Sequence, residues 1–129
     1  MNDLDTRERI LAFLAAHNTL TLATEREGKP WANALFYAND GFSLYVVSDS
    51  TTRHAENLKH NPHIAATINE DHRDWRAIQG MQLEGVCEAM TSPSDSAHAV
   101  VVYSAKFPFI ADLLRAPREL GAAFAKARF

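Results

Sequence analysis

The sequence predicts one α+β domain in which an antiparallel sheet comes first and helices pack at one side or end of it. Between residues 19 and 89, apolar runs with strand-like character are separated by turns, by polar loops or by one short helix. From Pro93 onward, apolar residues recur at helical spacing. Strands followed by helices are typical of this class. A length of 129 residues, with 47% hydrophobic and 22% charged residues, fits a single domain, residues 1–129, with its own core.

The first element is predicted to be an amphipathic helix within residues 3–18. Asp3 and Asp5 supply the acidic character that favours a helix N-terminus, and Asn18 ends the pattern. One helical face collects the apolar residues Ile10, Leu11, Phe13 and Leu14. The helix is therefore expected to cover another element.

Five strands and one short helix are predicted to follow. The strand runs are, in chain order, TLTLATE, PWANALFYA, FSLYVVS, HIAATIN and AIQGMQLEGVCEAM. The REGK segment between the first two indicates a hairpin turn. Between the third and fourth runs, Ala55 and Leu58 share a helical face, and Pro62 ends that helix after about two turns.

The rest of the chain is predicted to be helical. SPSDSAHAVVVYSAKFP has the pattern of a capped helix, and FIADLLRAPRELGAAFAKARF that of a helix, a break at Pro117 and another helix. Phe124 and Phe129 continue the apolar pattern without a capping residue. This suggests that the natural chain extends beyond Phe129.

Composition and charge argue against several classes of function. A formal net charge of −3 does not suit a general nucleic-acid binder, which has a concentrated basic face. No apolar run approaches the ~20 residues that span a bilayer, and MNDLDTRERI lacks the order of a secretion signal. The single cysteine, Cys87, cannot form an internal disulfide, which fits a reducing compartment. We therefore expect a cytoplasmic protein with no nucleic-acid or membrane partner.

The segment SDSTTRHAENLKHNP, residues 48–62, concentrates oxyanion-binding groups at the start of the short helix. Thr52 occupies an N-cap position, where free backbone N–H groups and the helix dipole favour a phosphate. Arg53 adds a fork of donors, and His54 adds a donor that is charged when protonated. Asp49 is unfavourable beside a dianion and must point away. The residues alone leave a second interpretation open, in which Thr52 caps a surface helix and the next two side chains are solvated.

The order of these motifs resembles a known family. PWANALFYANDG, FSLYVVSDS, TTRHAENLKHNPHIAATIN and IQGMQLEGVCEA follow one another as in the pyridoxamine 5′-phosphate oxidase-like split-barrel flavoproteins. The sequence is most similar to a small uncharacterised branch in which TRHA, IQGMQLEG and YSAKFP recur in this order. The likeness covers residues 10–110.

The resemblance implies an antiparallel six-stranded split β-barrel of Greek-key topology with flanking helices. It further implies a homodimer that holds FMN in a groove between the subunits. Thr52 and Arg53 would bind the FMN phosphate, and His54 stands where lysine is common, so that a phosphate would favour its protonated form. The residues implied to line the isoalloxazine ring are Ala32, Asn33, Ala34, Leu35, Val47 and Ser48, with Gln82 at its polar edge.

Three further candidates concern ligands. Trp75 is a candidate for stacking on a ring or lining the substrate mouth, although an aromatic residue at a loop–strand junction more often anchors packing. The histidines match no compact metal-ligand spacing, so no metal is expected. Haem, which a branch of the same superfamily binds, stays open as another cofactor, but nothing marks one histidine as its ligand.

These features together predict an FMN-dependent oxidoreductase in which hydride passes between the flavin and a nicotinamide or other small organic donor. No side chain is assigned as a catalytic acid or base. The C-terminal tryptophan and arginine segment of true pyridoxamine phosphate oxidases has no counterpart before Phe129, so the substrate is left open. The alternatives are a non-catalytic FMN or haem carrier or sensor, and an interaction protein that keeps only the barrel.

Overall fold

The computed structural model describes residues 2–115 and 122–129. Its helices are α1 (Asp3–Ala16), α2 (Arg53–His60), α3 (Pro93–Lys106) and α4 (Ile110–Arg115). Its strands are β1 (Thr19–Arg26), β2 (Lys29–Asp40), β3 (Ser43–Asp49), β4 (His63–Asn69), β5 (Gly80–Ala89) and β6 (Ala122–Arg128). Of the helices in the described ranges, none is long and apolar enough to cross a membrane.

The six strands form a closed antiparallel barrel in the order β1-β2-β3-β6-β5-β4. Hairpins join β1 to β2 and β2 to β3, and the register of β1 with β4 aligns Leu22 with Ala66. The barrel closes because β6 pairs with β3 on one side and with β5 on the other. The predicted α+β class and the six-stranded antiparallel split barrel with flanking helices are confirmed.

The predicted helix at the C-terminal end is wrong, because residues 122–128 form strand β6. The predicted break at Pro117 lies outside the described residues. Alanine, lysine and arginine are good helix formers, which explains the prediction from AAFAKAR. Without β6, however, β3 and β5 would each present a row of unpaired backbone groups, and pairing with both satisfies them.

Alternating side chains build the core inside the barrel. Its buried apolar residues include Leu20, Leu22, Leu44, Val46, Ile64, Ala66, Ile68 and Cys87. Helix α1 contributes Leu14 to this cluster, and Leu58 of α2 packs against it. A second cluster, which contains Tyr45, Ala99 and Tyr103, packs α3 against the outside of β2, β3 and β6.

The rest of the barrel exterior is formed by small or polar side chains that point away from the core. We call this surface the outer face; its residues are Thr21, Ala23, Ala32, Ala34, Ala65, Thr67, Gln82 and Glu84. Two rows cross it, one from Ala34 to Gln82 and one from Ala32 to Glu84, each through β1 and β4. Such a flat and largely uncharged surface can approach a planar group or another protein closely.

Candidate cofactor site

Helix α2 begins with a capped turn, as the sequence predicts. Thr52 is the N-cap, and its hydroxyl accepts a hydrogen bond from the Ala55 N–H at 3.3 Å while it donates to the Asp49 carbonyl at 2.9 Å. The Asp49 carboxylate accepts the backbone N–H and the hydroxyl of Thr51 at 2.8 and 2.7 Å. These hydrogen bonds, the backbone one foremost, lower the pKa of Asp49. The carboxylate is thus occupied by Thr51.

Arg53 lies at the edge of a cavity of about 380 Å³ between α2 and the β1–β2 hairpin, which we call the cation cavity. Arg26 and Lys29 from the hairpin also line it. A tight turn brings Arg26 and Lys29 together. Its residues Glu27 and Gly28 both have positive φ, 54° and 79°, as the two-residue type I′ hairpin turn requires. The turn pairs Arg26 directly with Lys29 across the two strands.

The positive charges of the cation cavity are only partly balanced. Glu27 and Glu56 line it too. The Glu56 carboxylate binds the Lys59 ammonium at 2.7 Å, and this hydrogen bond is the main reason that its pKa is lowered, with the charge of Arg26 as a smaller cause. Among the described residues, no carboxylate lies within ion-pair distance of Arg26, Lys29 or Arg53. The Arg53 guanidinium instead stacks 4.2 Å from the centre of the Trp31 ring. Three cations around one concavity suit an oxyanion.

His54 lies in a different part of the molecule from the cation cavity. It is buried, and its Nε2 lies 2.9 Å from the Ser48 hydroxyl and 3.2 Å from the Thr52 hydroxyl. Both His54 and Ser48 line an inner cavity of about 100 Å³ whose other walls are mostly apolar, among them Leu22 and Phe124. Burial lowers the pKa of His54. The structure therefore does not bring His54 and Ser48 together with Arg53.

Three of the predicted ring-lining residues do come together. Ala34, Leu35 and Val47 line a shallow cavity of about 230 Å³. Its other lining residues are Thr19 and three aromatic residues, Phe36, Tyr103 and Phe109, so we call it the aromatic concavity. Ala32 is exposed next to it on the outer face. Asn33 points inward instead, opposite Leu22, and its Oδ1 is buried without a hydrogen-bond partner among the described residues.

The last two predicted residues lie apart from this group. Gln82 is exposed on β5, at the end of the outer-face row that begins at Ala34. Trp75 is 76% exposed in the loop before β5, and Arg76 stacks on its ring at 5.5 Å. The described part of the chain contains no group of three or more side chains that could hold a metal ion.

Sequence reasoning missed Arg26 and Lys29, which the fold places beside Arg53. These residues are distant from α2 along the chain, so only the pairing of β1 with β2 and the packing of α2 on the barrel bring them close. The signal that could have found them is the REGK turn, in which both flanking positions are cations.

A family model described as pyridoxamine 5′-phosphate oxidase matches residues 6–125. The chain belongs to the pyridoxamine 5′-phosphate oxidase family. Two relatives that are similar to this chain in sequence are UPF0306 protein YhbP of Salmonella schwarzengrund (strain CVM19633) and UPF0306 protein Ent638_3591 of Enterobacter sp. (strain 638). The first is 31% identical over 116 residues, which cover 88% of this chain and 78% of that protein. The second is 32% identical over 117 residues, which cover 88% and 80%.

Solved structures share the family fold at low sequence identity. HutZ, the haem storage protein of Vibrio cholerae, superposes with a TM-score of 0.79 at 21% identity, covering 94% of this chain and 87% of its own. An FAD-binding protein of Mesorhizobium loti superposes with a TM-score of 0.70 at 21% identity, covering 95% and 86%. Because these two proteins are named for different cofactors, the shared fold alone does not select one.

The residues of this family member fit a flavin mononucleotide in two respects. The cation cavity offers guanidinium and ammonium donors for a phosphate. The alanine side chains at positions 32 and 34 leave the outer face open to a flat ring. The arrangement differs at His54 from the one that the family resemblance implies, because the His54 imidazole hydrogen-bonds with the Ser48 hydroxyl in the inner cavity.

Proposed function

We propose that this protein is an FMN-dependent oxidoreductase that binds its cofactor between two copies of the chain and acts on a small organic molecule. The cation cavity is the observation that carries the proposal, because its three cations outnumber its two carboxylates and lie beside the start of a capped helix. FMN supplies hydride transfer when it is bound. The side chains of the protein then hold, orient and partly desolvate it.

The phosphate would be held by Arg53 together with Lys29 and Arg26. Guanidinium groups donate two parallel hydrogen bonds to a phosphate, and Lys29 adds a compact charge. Stacking on Trp31 fixes the direction of the Arg53 side chain before a ligand arrives. His54 is not needed as a phosphate ligand in this arrangement, because the hairpin supplies the additional charge.

Strand β2 connects the proposed phosphate position with the proposed ring position. It runs from Trp31, beside Arg53, to Ala34, a span of about 10 Å at the usual rise per strand residue. Ala32 and Ala34 would allow close approach of the ring along this edge. Gln82 lies three strand spacings from Ala34, about 14 Å, so it would not reach a ring held at Ala34 of the same copy.

Paired titrations with FMN and riboflavin test the proposal, because only FMN has the phosphate. We expect Arg53→Ala to weaken FMN binding about 10- to 100-fold, with little change for riboflavin, as measured by flavin fluorescence. The matched control is Arg7→Ala, since Arg7 also stacks on an aromatic ring, Phe42, at 4.5 Å. Equal losses for both flavins would remove the assigned role of Arg53. Absence of FMN binding by the wild-type protein would remove the proposed function.

A non-catalytic module that binds FMN or haem is the second candidate function. The fold is shared with the haem storage protein HutZ, which is the reason for testing haem beside FMN. Visible spectra of the protein with haem and with FMN distinguish the cofactors. Steady-state oxidation of a reduced nicotinamide by the FMN-loaded protein separates an enzyme from a carrier.

A further inference from the structure

We propose that the aromatic concavity is the substrate subsite of the proposed oxidoreductase and that it takes an uncharged, planar aromatic group. The inference rests on the proposed function, because it names the class of molecule that the flavin would serve. Ala34, Leu35 and Val47 form one wall of the concavity and are also the residues implied to line the flavin ring. The proposed ring position is over the outer face at Ala32 and Ala34, and Ala32 does not line the concavity, so a molecule bound in the concavity would lie beside the flavin at Ala34.

The opposite wall presents aromatic rings at the surface. Phe36 is 48% exposed and Phe109 38% exposed, although their rings contact each other edge-on at 5.5 Å. The Phe107 ring packs against both of them, with its centroid 5.3 Å from each of the other two. Partly exposed phenylalanines that are held in place by a third ring form a rigid surface on which a planar group can stack. A ligand there would gain contact area at little cost in side-chain ordering.

The lining of the aromatic concavity has no charged side chain among the described residues. Of the described residues that line it, Tyr103 is the ionisable one; burial raises the pKa of Tyr103 to about 12, and its hydroxyl donates to the Phe36 carbonyl at 3.3 Å. The neighbouring Lys106 lies 5.4 Å from the Phe107 ring, but its ammonium donates to the carbonyl oxygens of Leu14 and His17.

A phosphate or an ammonium ion placed in this concavity would lose water without gaining a partner, which is costly. An uncharged ring meets no such penalty. The concavity therefore matches neutral aromatic molecules and rejects phosphorylated amines such as pyridoxamine 5′-phosphate. The exposed Thr19 hydroxyl at the rim can hydrogen-bond one polar substituent.

Binding of two probes to the FMN-loaded protein tests the inference by calorimetry. Coumarin is an uncharged planar aromatic probe, and pyridoxamine 5′-phosphate is the charged comparison. We expect coumarin to bind the wild type more tightly, and Phe36→Ala and Phe109→Ala each to weaken it about fivefold to tenfold. Phe129→Ala is the matched control, because Phe129 is also 38% exposed but does not line the concavity. It should leave coumarin binding unchanged.

Phe36→Lys gives a second test that does not depend on the stability of the alanine variants. Because an ammonium group at the half-exposed position 36 adds the missing charge, we expect coumarin to bind more weakly and pyridoxamine 5′-phosphate about tenfold more tightly. Thermal melts check that each variant is folded.

Four results would overturn the inference while FMN still binds, and the first three concern ligand binding that is observed. These are a preference of the wild type for pyridoxamine 5′-phosphate, coumarin binding that is indifferent to Phe36 and Phe109, and displacement of FMN by coumarin. Lack of coumarin binding, as expected if a side chain of a second copy fills the concavity, also overturns it. A protein that binds no FMN fails already in the flavin titration, which separates failure of the proposed function from failure of the subsite.

Discussion

At the scale of single residues, His54 is the ionisable group whose position has the clearest consequence for stability. Burial disfavours its charged form, so its pKa in the folded protein lies below the usual value of about 6.5. The unfolded chain then binds the proton more readily than the folded protein. Stability linked to His54 is therefore fully present above pH ~6.5 and is lost as the pH falls through the folded-state pKa.

We predict that His54→Gln removes this part of the pH dependence. Glutamine keeps a donor and an acceptor for the Ser48 hydroxyl but does not titrate. Urea unfolding of the flavin-free protein from pH 7.5 down to 5 should show a loss of stability in the wild type that is smaller in the variant. His63→Gln, at an exposed position, serves as the control and should behave like the wild type. An unchanged pH profile in His54→Gln would contradict the assignment.

The sequence allowed part of the residue-scale site to be predicted. The N-cap role of Thr52 follows from local chemistry, because a hydroxyl before a short helix can satisfy its first N–H groups. The inward direction of His54 could not be predicted, since it depends on which face of a two-turn helix meets the barrel. Arg26 and Lys29 were missed for the same kind of reason, because the partners of a charged side chain are set by tertiary structure.

At the scale of secondary-structure elements, barrel closure depends on close approach of β5 and the end of β6. A Cβ atom at Gly85 would lie 2.0 Å from the backbone oxygen of Arg128, far inside van der Waals contact. The obstacle is backbone rather than a flexible side chain, so relief requires a shift of the strand. Gly85 therefore permits the pairing of Val86 with Arg128.

We predict that Gly85→Ala destabilises the protein by about 3 kcal/mol, the upper range for overpacking a core. Gly80→Ala on the same strand is the matched control, because its Cβ would meet the Ile68 carbonyl oxygen at 3.2 Å. Its cost should be about 1 kcal/mol or less. Denaturant unfolding followed by circular dichroism measures both variants. Similar losses for the two would show that the approach of β6 does not limit the packing.

The first five strands were predictable because each has local strand character, by alternation or by aromatic and β-branched residues, whereas β6 was not. Its AAFAKAR segment contains strong helix formers. The segment is a strand because it pairs with the open edges of β3 and β5. Inward positions Ala125 and Ala127 then pack toward the core, and Lys126 and Arg128 point outward. This alternation is weak in a segment whose inward side chains are only methyl groups.

At the scale of the whole molecule, the outer face and exposed apolar side chains elsewhere on the barrel have the composition that the proposed dimer requires. Outer-face side chains are small and mostly uncharged, and Trp31 is 38% exposed on β2. The loop before β5 adds Trp75 and Ile78, exposed by 76% and 56%. Partly exposed aromatic residues around a flat centre are characteristic of protein interfaces.

We predict that a charge at the centre of the outer face disrupts both the proposed dimer and cofactor binding. Ala65 is exposed on β4, between Ala23 and Glu84, and is not among the proposed FMN ligands. An arginine there adds a bulky side chain at the centre of the outer face and, even beside Glu84, a charge that must lose its water upon association. Ala65→Arg should therefore weaken the dimer about 100-fold or more. Light scattering coupled to size exclusion measures the change in mass.

The control for this prediction places the same charge elsewhere on the surface. Val101 is 66% exposed on α3, away from the outer face, so Val101→Arg should remain dimeric and bind FMN like the wild type. If the cofactor lies between the subunits, the affinity of Ala65→Arg for FMN should fall together with its dimer content, because each protomer supplies only part of the site. A wild-type protein that is monomeric with FMN bound would contradict the shared site, and a dimeric Ala65→Arg would place the interface on another surface.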